Sequence, residues 1–129
     1  MLMVDSGTYD HVCPITFAPH CRIVHEESVQ ARSANEADLE HHGTRYVPGW
    51  LRDSEGQWKK GVIRFEVHNV KRPMLSTGTL KKQGIKTVFA DTGDLIVHND
   101  GRFPLVEKGD HSWLPLWLLK MPGSHPLVD

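Results

Sequence analysis

The chain has 129 residues and a formal net charge of −1, with 15 lysines and arginines against 16 aspartates and glutamates. This length predicts one domain with its own core. The charge balance gives no basic excess for nucleic acid, no apolar run approaches the ~20 residues of a membrane helix, and two cysteines are too few for a disulfide scaffold. The N-terminus lacks the basic start and long apolar stretch of a signal peptide, so a cytoplasmic, soluble protein is expected.

The first half of the chain is predicted to be β-structure. Four strand candidates are apolar or alternating runs bounded by turn residues, at 2–4, 22–24, 44–47 and 61–70. The polar stretch 25–43 is predicted to be an exposed hairpin or loop, and Pro48-Gly49 is expected to end the third strand. In the fourth strand, Ile63, Phe65 and Val67 lie on one face, and Arg64, Glu66 and His68 lie on the other.

One short helix interrupts the strands of the second half. Residues 76–83 are predicted to form it, with Gly84 as its stop. Strands at 85–90 and 95–98 flank a hairpin turn at 91–94, and a second turn at 99–101 precedes a strand at 103–106. The apolar segment 113–119 is predicted to be a strand or a short helix. The sequence therefore predicts an all-β fold with one short helix.

An acidic motif follows the first strand. Residues 2–4 are apolar and lead directly to Asp5-Ser6-Gly7. A buried strand can carry a carboxylate to the floor of a cleft, and the glycine lets the backbone turn sharply and approach a substrate closely. Peptide hydrolysis by carboxylates needs two of them, which share one proton at about 3 Å separation and titrate as a unit. Asp5 is therefore a candidate acid and base, and Ser6 a candidate hydroxyl donor to the opposite loop.

Four colinear segments within residues 2–119 resemble one known family. The first is an active-site segment at 2–14, with a histidine after Asp-Ser-Gly, and the second is a flap at 34–39 with Gly43. The third, at 65–76, is a strand followed by a proline, two apolar residues and a serine. The fourth, at 80–89, is a helix followed by a glycine and a strand. This pattern is similar to the retropepsin-like aspartic proteases of copia-type retrotransposons. In that family the serine segment packs behind the catalytic loop.

The resemblance implies a small closed β-barrel of the retropepsin type over residues 1–121, with the family's first strand missing, and a frayed tail at 122–129. It implies an aspartic endopeptidase that cleaves a polypeptide substrate, a retrotransposon polyprotein, as a homodimer with no cofactor and no metal. Asp5 of each chain would be catalytic. Ser6, Gly7 and Thr8 would support the active-site loop, and Asn35 and Glu36 would lie at the flap.

Three features depart from the family pattern. Glu36 stands where the flap usually has glycine, Thr8 and Tyr9 replace smaller residues, and the chain starts four residues before Asp5. They keep open a second hypothesis from another functional class. In it, the chain is a catalytically inactive retropepsin-fold domain that dimerises or binds a partner.

Two further motifs allow other interpretations. Asp91-Thr92-Gly93 is a second acid motif, which in a two-lobed monomer would supply the second carboxylate, but aspartate and glycine also favour the hairpin turn predicted there. His11, Cys13, His20 and Cys21 could supply four zinc ligands, although their spacing is unusual for zinc. The simpler interpretation is that Cys13 is a small buried hydrophobe and that His11 hydrogen-bonds the backbone.

Overall fold

The computed structural model describes residues 1–25, 42–99 and 101–119. Over these residues the chain forms short strands and one short helix, α1. In chain order the elements are β1 Leu2–Asp5, β2 Val12–Cys13, β3 Ile23–Val24, β4 Gly43–Arg52, β5 Trp58–Val67, β6 Met74–Ser76, α1 Thr77–Lys82, β7 Lys86–Val88, β8 Leu95–His98, β9 Gly101–Pro104, β10 Val106–Lys108, β11 His111–Leu114 and β12 Trp117–Leu118.

Most strands belong to one mixed sheet. Its order is β10-β11-β1-β6-β2-β5-β4-β12, with β3 also paired to β4, and a separate small sheet has the order β7-β8-β9. The prediction of an all-β fold with one short helix is confirmed. Closure into a barrel is not confirmed, because β10 and β12 lie at opposite ends of the path that the described strands follow.

The strand that carries the acidic motif lies inside the large sheet. β1 is antiparallel to β11 on one side, with Val4 opposite Ser112, and parallel to β6 on the other, with Asp5 opposite Ser76. Leu2, Met3 and Val4 are buried, and Asp5 is the first residue of the strand with partial exposure. The sheet therefore holds β1 from both sides as far as Val4, and Asp5, which is paired with β6 alone, lies where the strand reaches the surface.

The core packs around Phe65 of β5. Phe65, Leu2 and Val67 are fully buried, and the Phe17 ring meets the Phe65 ring edge to face at 5.5 Å between centroids. The predicted alternation along β5 holds, but Glu66 on the opposite face is also buried and pairs with Arg64 at 2.6 Å. Both faces of this inner strand are therefore covered near its C-terminal end.

β4 runs through Pro48-Gly49, so the prediction that these residues end the strand is wrong. β4 pairs with β5 over ten residue pairs, from Gly43 with Val67 to Arg52 with Trp58. A Cβ at Gly49 would lie 2.6 Å from Leu116 Cδ1 and 2.9 Å from the Trp117 carbonyl oxygen. The glycine thus lets β12 approach closely, and glycine inside a strand often has this role.

The helix forms where the sequence predicts it. Ser76 is its N-cap, because the Ser76 Oγ accepts a hydrogen bond from the Thr79 N–H at 3.1 Å. Lys81 and Lys82 lie in the last turn, where positive charge favours the helix dipole. Gly84 follows with φ +80°, a conformation that glycine adopts without strain. α1 therefore begins next to Asp5, at the end of β6.

Candidate active site

Asp5 opens onto a cleft of about 440 Å³. The cleft runs between the start of the acidic motif, the segment after β7 and the β10–β11 hairpin. Its lining residues are Val4, Asp5, Ser6, Phe89, Asp94, Glu107, Gly109, Asp110, His111 and Ser112. A partly exposed carboxylate at the end of a buried strand, facing an open cleft, is the placement that the sequence predicted for a catalytic acid.

The motif folds back on its own carboxylate. The Gly7 N–H donates to Asp5 Oδ1 at 2.7 Å. A Cβ at Gly7 would lie 3.2 Å from the same oxygen, which is tighter than ordinary contact. Glycine at this position therefore leaves the carboxylate room to accept the backbone hydrogen bond.

Ser6 is exposed and lines the cleft, and its hydroxyl has no hydrogen-bond partner among the residues that the structure describes. Its predicted bond to a partner loop stays a prediction.

The loop after the motif is held by the N-terminus of α1. Ser76 Oγ donates to the Thr8 carbonyl oxygen at 2.8 Å, and Thr79 Oγ1 donates to the Tyr9 carbonyl oxygen at 2.7 Å. Thr8 Oγ1 donates to the Asp10 carbonyl oxygen at 3.2 Å. Ser76 is fully buried, so the helix cap and the loop share one hydroxyl. The position of the Asp5 loop is therefore coupled to the start of the helix.

His11 holds the same loop through two hydrogen bonds. Its Nδ1 accepts a hydrogen bond from the Ser76 N–H at 2.9 Å, and its carbonyl oxygen accepts one from the Glu66 N–H at 2.8 Å. His11 is buried, and its ring stands edge to face against Phe65. Burial lowers the pKa of His11, an effect that the nearby charge of Asp10 partly offsets. The backbone hydrogen bond expected of His11 is present, and it requires an unprotonated Nδ1.

Acid should therefore destabilise the protein through His11. Because the pKa of His11 is lower in the folded state than its ordinary value near 6.5, the unfolded chain gains a proton first as the pH falls. The free energy of unfolding should fall below about pH 6.5, by at most about 1.4 kcal/mol per pH unit for this one proton. His11→Asn, which keeps an acceptor oxygen, should flatten this dependence in urea unfolding measured from pH 7 to pH 5. His20→Asn is the control, because His20 is exposed, and an equal flattening there would contradict the assignment.

Asp94 is another carboxylate in the lining of the cleft, and no sequence motif marks it as a site residue. Asp94 Oδ1 accepts from the Ala90 N–H at 2.9 Å, and Asp94 Oδ2 accepts from Ser112 Oγ at 2.5 Å. These two bonds tie the turn after β7 to β11. Because both carboxylate oxygens accept hydrogen bonds from the protein, Asp94 serves to hold the cleft wall. The available signal was the spacing of Ala90 and Asp94 in a turn, since aspartate side chains often accept from nearby backbone N–H groups.

The second acid motif forms the predicted turn. Asp91 is exposed in the connection between β7 and β8, where the Gly93 N–H donates to the Ala90 carbonyl oxygen at 3.0 Å. Asp91 is not among the residues that line the Asp5 cleft. The structure therefore places Asp94, and not Asp91, in the lining of the Asp5 cleft.

The thiols behave as packing groups. Cys13 is fully buried, and burial raises its pKa to about 12, with Arg45 acting in the opposite direction. Cys13 and Cys21 are both free. Within residues 1–25, 42–99 and 101–119, no three His, Cys, Asp or Glu side chains group closely enough to hold a metal ion. The geometry of these ranges thus offers no zinc ligand set at His11, Cys13, His20 and Cys21.

Asn35 and Glu36, predicted at the flap, lie outside the described residues, as does most of the predicted loop at 25–43.

In the described part of the chain, no helix is long and apolar enough to cross a membrane.

Comparison with protein-family models, with curated proteins and with solved structures finds no match to this chain.

Proposed function

We propose that this chain is one half of an aspartic endopeptidase of the retropepsin type, which processes a retrotransposon polyprotein inside the cell. The observation that carries the proposal is the position of Asp5, at the end of a buried strand and on an open cleft. The Thr8 and Tyr9 carbonyl oxygens of its loop accept hydrogen bonds from Ser76 Oγ and Thr79 Oγ1. A carboxylate whose loop is anchored, and which remains open to a substrate, meets the positional requirement of acid and base catalysis, and this supports the proposal.

The chemistry requires a second carboxylate, and a two-fold axis supplies it from a second copy. Asp5 of both chains would share one proton across the axis. The ionised Asp5 would take a proton from a water molecule as the water oxygen attacks the peptide carbonyl carbon. The protonated Asp5 would donate its proton toward the carbonyl oxygen. Ser6 of each loop would donate a hydrogen bond to the other loop and hold the two carboxylates face to face.

The arrangement of the parts supports the retropepsin-type fold as a proposal. The family resemblance implies a serine that packs behind the catalytic loop, and Ser76 Oγ bonds the Thr8 carbonyl oxygen. It also implies a helix, a glycine and a strand after that serine, and α1, Gly84 and β7 follow in this order. We extend the proposal to a closed barrel of the retropepsin type.

The test combines cleavage with oligomeric state over one concentration series. Purified protein is incubated with a peptide library, with and without pepstatin, and sedimentation gives the dimer fraction at each concentration. Cleavage that pepstatin blocks, with activity proportional to the dimer fraction, is expected. Full activity per chain in a monomeric solution would refute the shared site. A stable dimer that cleaves nothing would favour the inactive binding domain.

A further inference from the structure

One edge of β5 has a strand partner at its C-terminal end only. β4 pairs with β5 along its full length, whereas β2 pairs with the other edge at Glu66 and Val67. Among the strands that the structure describes, none lies beside residues 58–65 on that side. An open edge of this length can pair with another extended chain, so it is a candidate binding surface.

The hydrogen bonds of the sheet show which backbone groups face this edge. The Glu66 N–H donates away from β4, to the segment that leads into β2. Pro48 lies opposite Val62, and its carbonyl oxygen accepts from the Leu119 N–H, on the side of β4 away from β5. In an antiparallel pair the backbone groups of alternate residues point outward. The N–H and C=O groups of Val62 and Lys60 therefore point to the open edge.

An apolar cleft of about 280 Å³ lies beside the open edge. Residues 59–64 of β5 form one side of it, and the opposite side includes Leu80 of α1 with Ile96 and Phe103 of the small sheet. These three side chains are buried. Because alternate side chains of an extended chain share one face, a strand added to β5 can place one set of its side chains in this cleft.

The cleft carries positive charge at the start of β5. Lys59 and Lys60 line it there, and both are exposed. Arg64 also lines it and pairs with Glu66 at 2.6 Å. No acidic residue is among the described residues that line the cleft. This end of the cleft therefore attracts a negatively charged group.

We propose that the open edge of β5 at residues 60–64 and the apolar cleft beside it, together the β5 edge site, bind an extended peptide segment of another protein by strand addition. The backbone of the segment pairs with Lys60 and Val62, alternate apolar side chains enter the cleft, and an acidic residue meets Lys59 and Lys60. The β5 edge site shares no lining residue with the Asp5 cleft, so the inference does not depend on the proposed function.

Two other occupants fit this site less well. A second copy that paired antiparallel through its own β5, centred on Val62, would set Lys60 of each chain opposite Arg64 of the other, and like charges opposite each other in a sheet are destabilising. An alkyl chain with an anionic head group can fill the cleft and meet the lysines. It has no donor for the C=O groups of the edge, whereas a peptide backbone supplies both donors and acceptors.

A peptide with acidic ends and alternating apolar residues is the probe. Fluorescein-labelled Glu-Val-Thr-Val-Thr-Val-Glu, with versions that carry leucine or phenylalanine in place of valine, is titrated with the wild-type chain by fluorescence anisotropy. At least one version should bind with a dissociation constant below about 1 mM. In its presence the Lys60 and Val62 N–H groups should exchange with solvent more slowly by NMR. Absence of binding, or binding that leaves these two N–H groups unprotected, would overturn the proposal.

Val62→Pro removes one donor of the edge. Proline is tolerated in a strand where the N–H faces away from the neighbouring strand, so the chain should fold, which circular dichroism checks. The dissociation constant of the probe should rise by about tenfold or more, since a backbone hydrogen bond is lost. Val62→Thr keeps the N–H group and should stay within about threefold of wild type. A folded Val62→Pro chain that binds like wild type would contradict strand addition, and if this variant fails to fold, the exchange measurement on the wild-type chain decides.

Charge reversal tests the preference for an acidic segment. Lys59→Glu with Lys60→Glu should weaken binding of the probe by about tenfold at low salt, and should strengthen binding of the same peptide with lysine at both ends. Lys86→Glu with Lys108→Glu is the matched control, because both lysines are exposed and neither lines the cleft. An equal loss in the two double variants would reduce the effect to net charge and contradict the preference.

The remaining occupants are distinguished in the same experiments. Decanoate that binds the chain while no peptide does would assign the cleft to an anionic amphiphile. Self-association of the wild-type chain in sedimentation, lost in Val62→Pro, would assign the edge to a second copy. Either result would overturn the peptide site.

Discussion

Asp5→Asn should abolish peptide cleavage and leave the protein folded. The asparagine carbonyl oxygen can still accept the Gly7 N–H bond that Asp5 Oδ1 accepts at 2.7 Å, so the loop should keep its shape. The amide cannot ionise or share a proton, and in the proposed homodimer the two aspartates that would share the proton are lost together. The value of kcat/KM should fall by about 10⁴-fold or more. Peptide cleavage is measured together with thermal unfolding and the dimer fraction.

Two other aspartates serve as comparisons. Asp91→Asn should leave kcat/KM near the wild-type value, because Asp91 is exposed in the β7–β8 turn and does not line the cleft. Asp94→Asn should reduce stability more than it changes the chemistry, because both oxygens of Asp94 accept hydrogen bonds from the protein. Loss of activity in a folded Asp91→Asn chain would favour a two-lobed monomer. Wild-type activity in Asp5→Asn would reject the proposed function.

The structure of the acidic motif could be predicted because the signals that determine it are local. An apolar run before Asp5 predicts a buried strand, and Gly7 predicts a turn, whatever the rest of the chain does. The α1 boundaries were similarly predictable, because the cap Ser76 and the stop Gly84 act within one or two helical turns. Local signals of this kind need no knowledge of tertiary contacts.

Other features could not be read from local patterns, because distant residues decide them. β4 continues through Pro48 because β12, which is far away in the chain, packs on Gly49. β2 has two residues, too few for any periodic signal, and it is set by its pairing with β5 and β6. The position of Asp94 in the cleft depends on its bond to Ser112, which lies 18 residues further on. The residues of the turn predict the local conformation near Asp94, but they do not predict that its carboxylate bonds to β11 in the wall of the cleft.

Ser76→Ala should have the largest effect on stability among substitutions near the site, apart from changes to the core. The Ser76 Oγ donates to the Thr8 carbonyl oxygen at 2.8 Å and accepts from the Thr79 N–H at 3.1 Å, and the side chain is fully buried. Alanine removes the helix N-cap and leaves a carbonyl oxygen of the Asp5 loop without this donor. The free energy of unfolding should fall by about 2–4 kcal/mol. Urea unfolding at neutral pH measures it.

The same substitution should lower kcat of the folded dimer, because the Asp5 loop loses a contact that orients it. Ser54→Ala is the matched control, since Ser54 is exposed in the β4–β5 turn, and its effect on stability should stay within about 0.5 kcal/mol. Ser76→Thr, which restores a hydroxyl, should recover part of the stability and of kcat. If Ser76→Ala instead lowered the stability while the folded dimer kept its full kcat, the role of Ser76 would be limited to capping the helix. The expected effect of the contact between α1 and the Asp5 loop on kcat would then be contradicted.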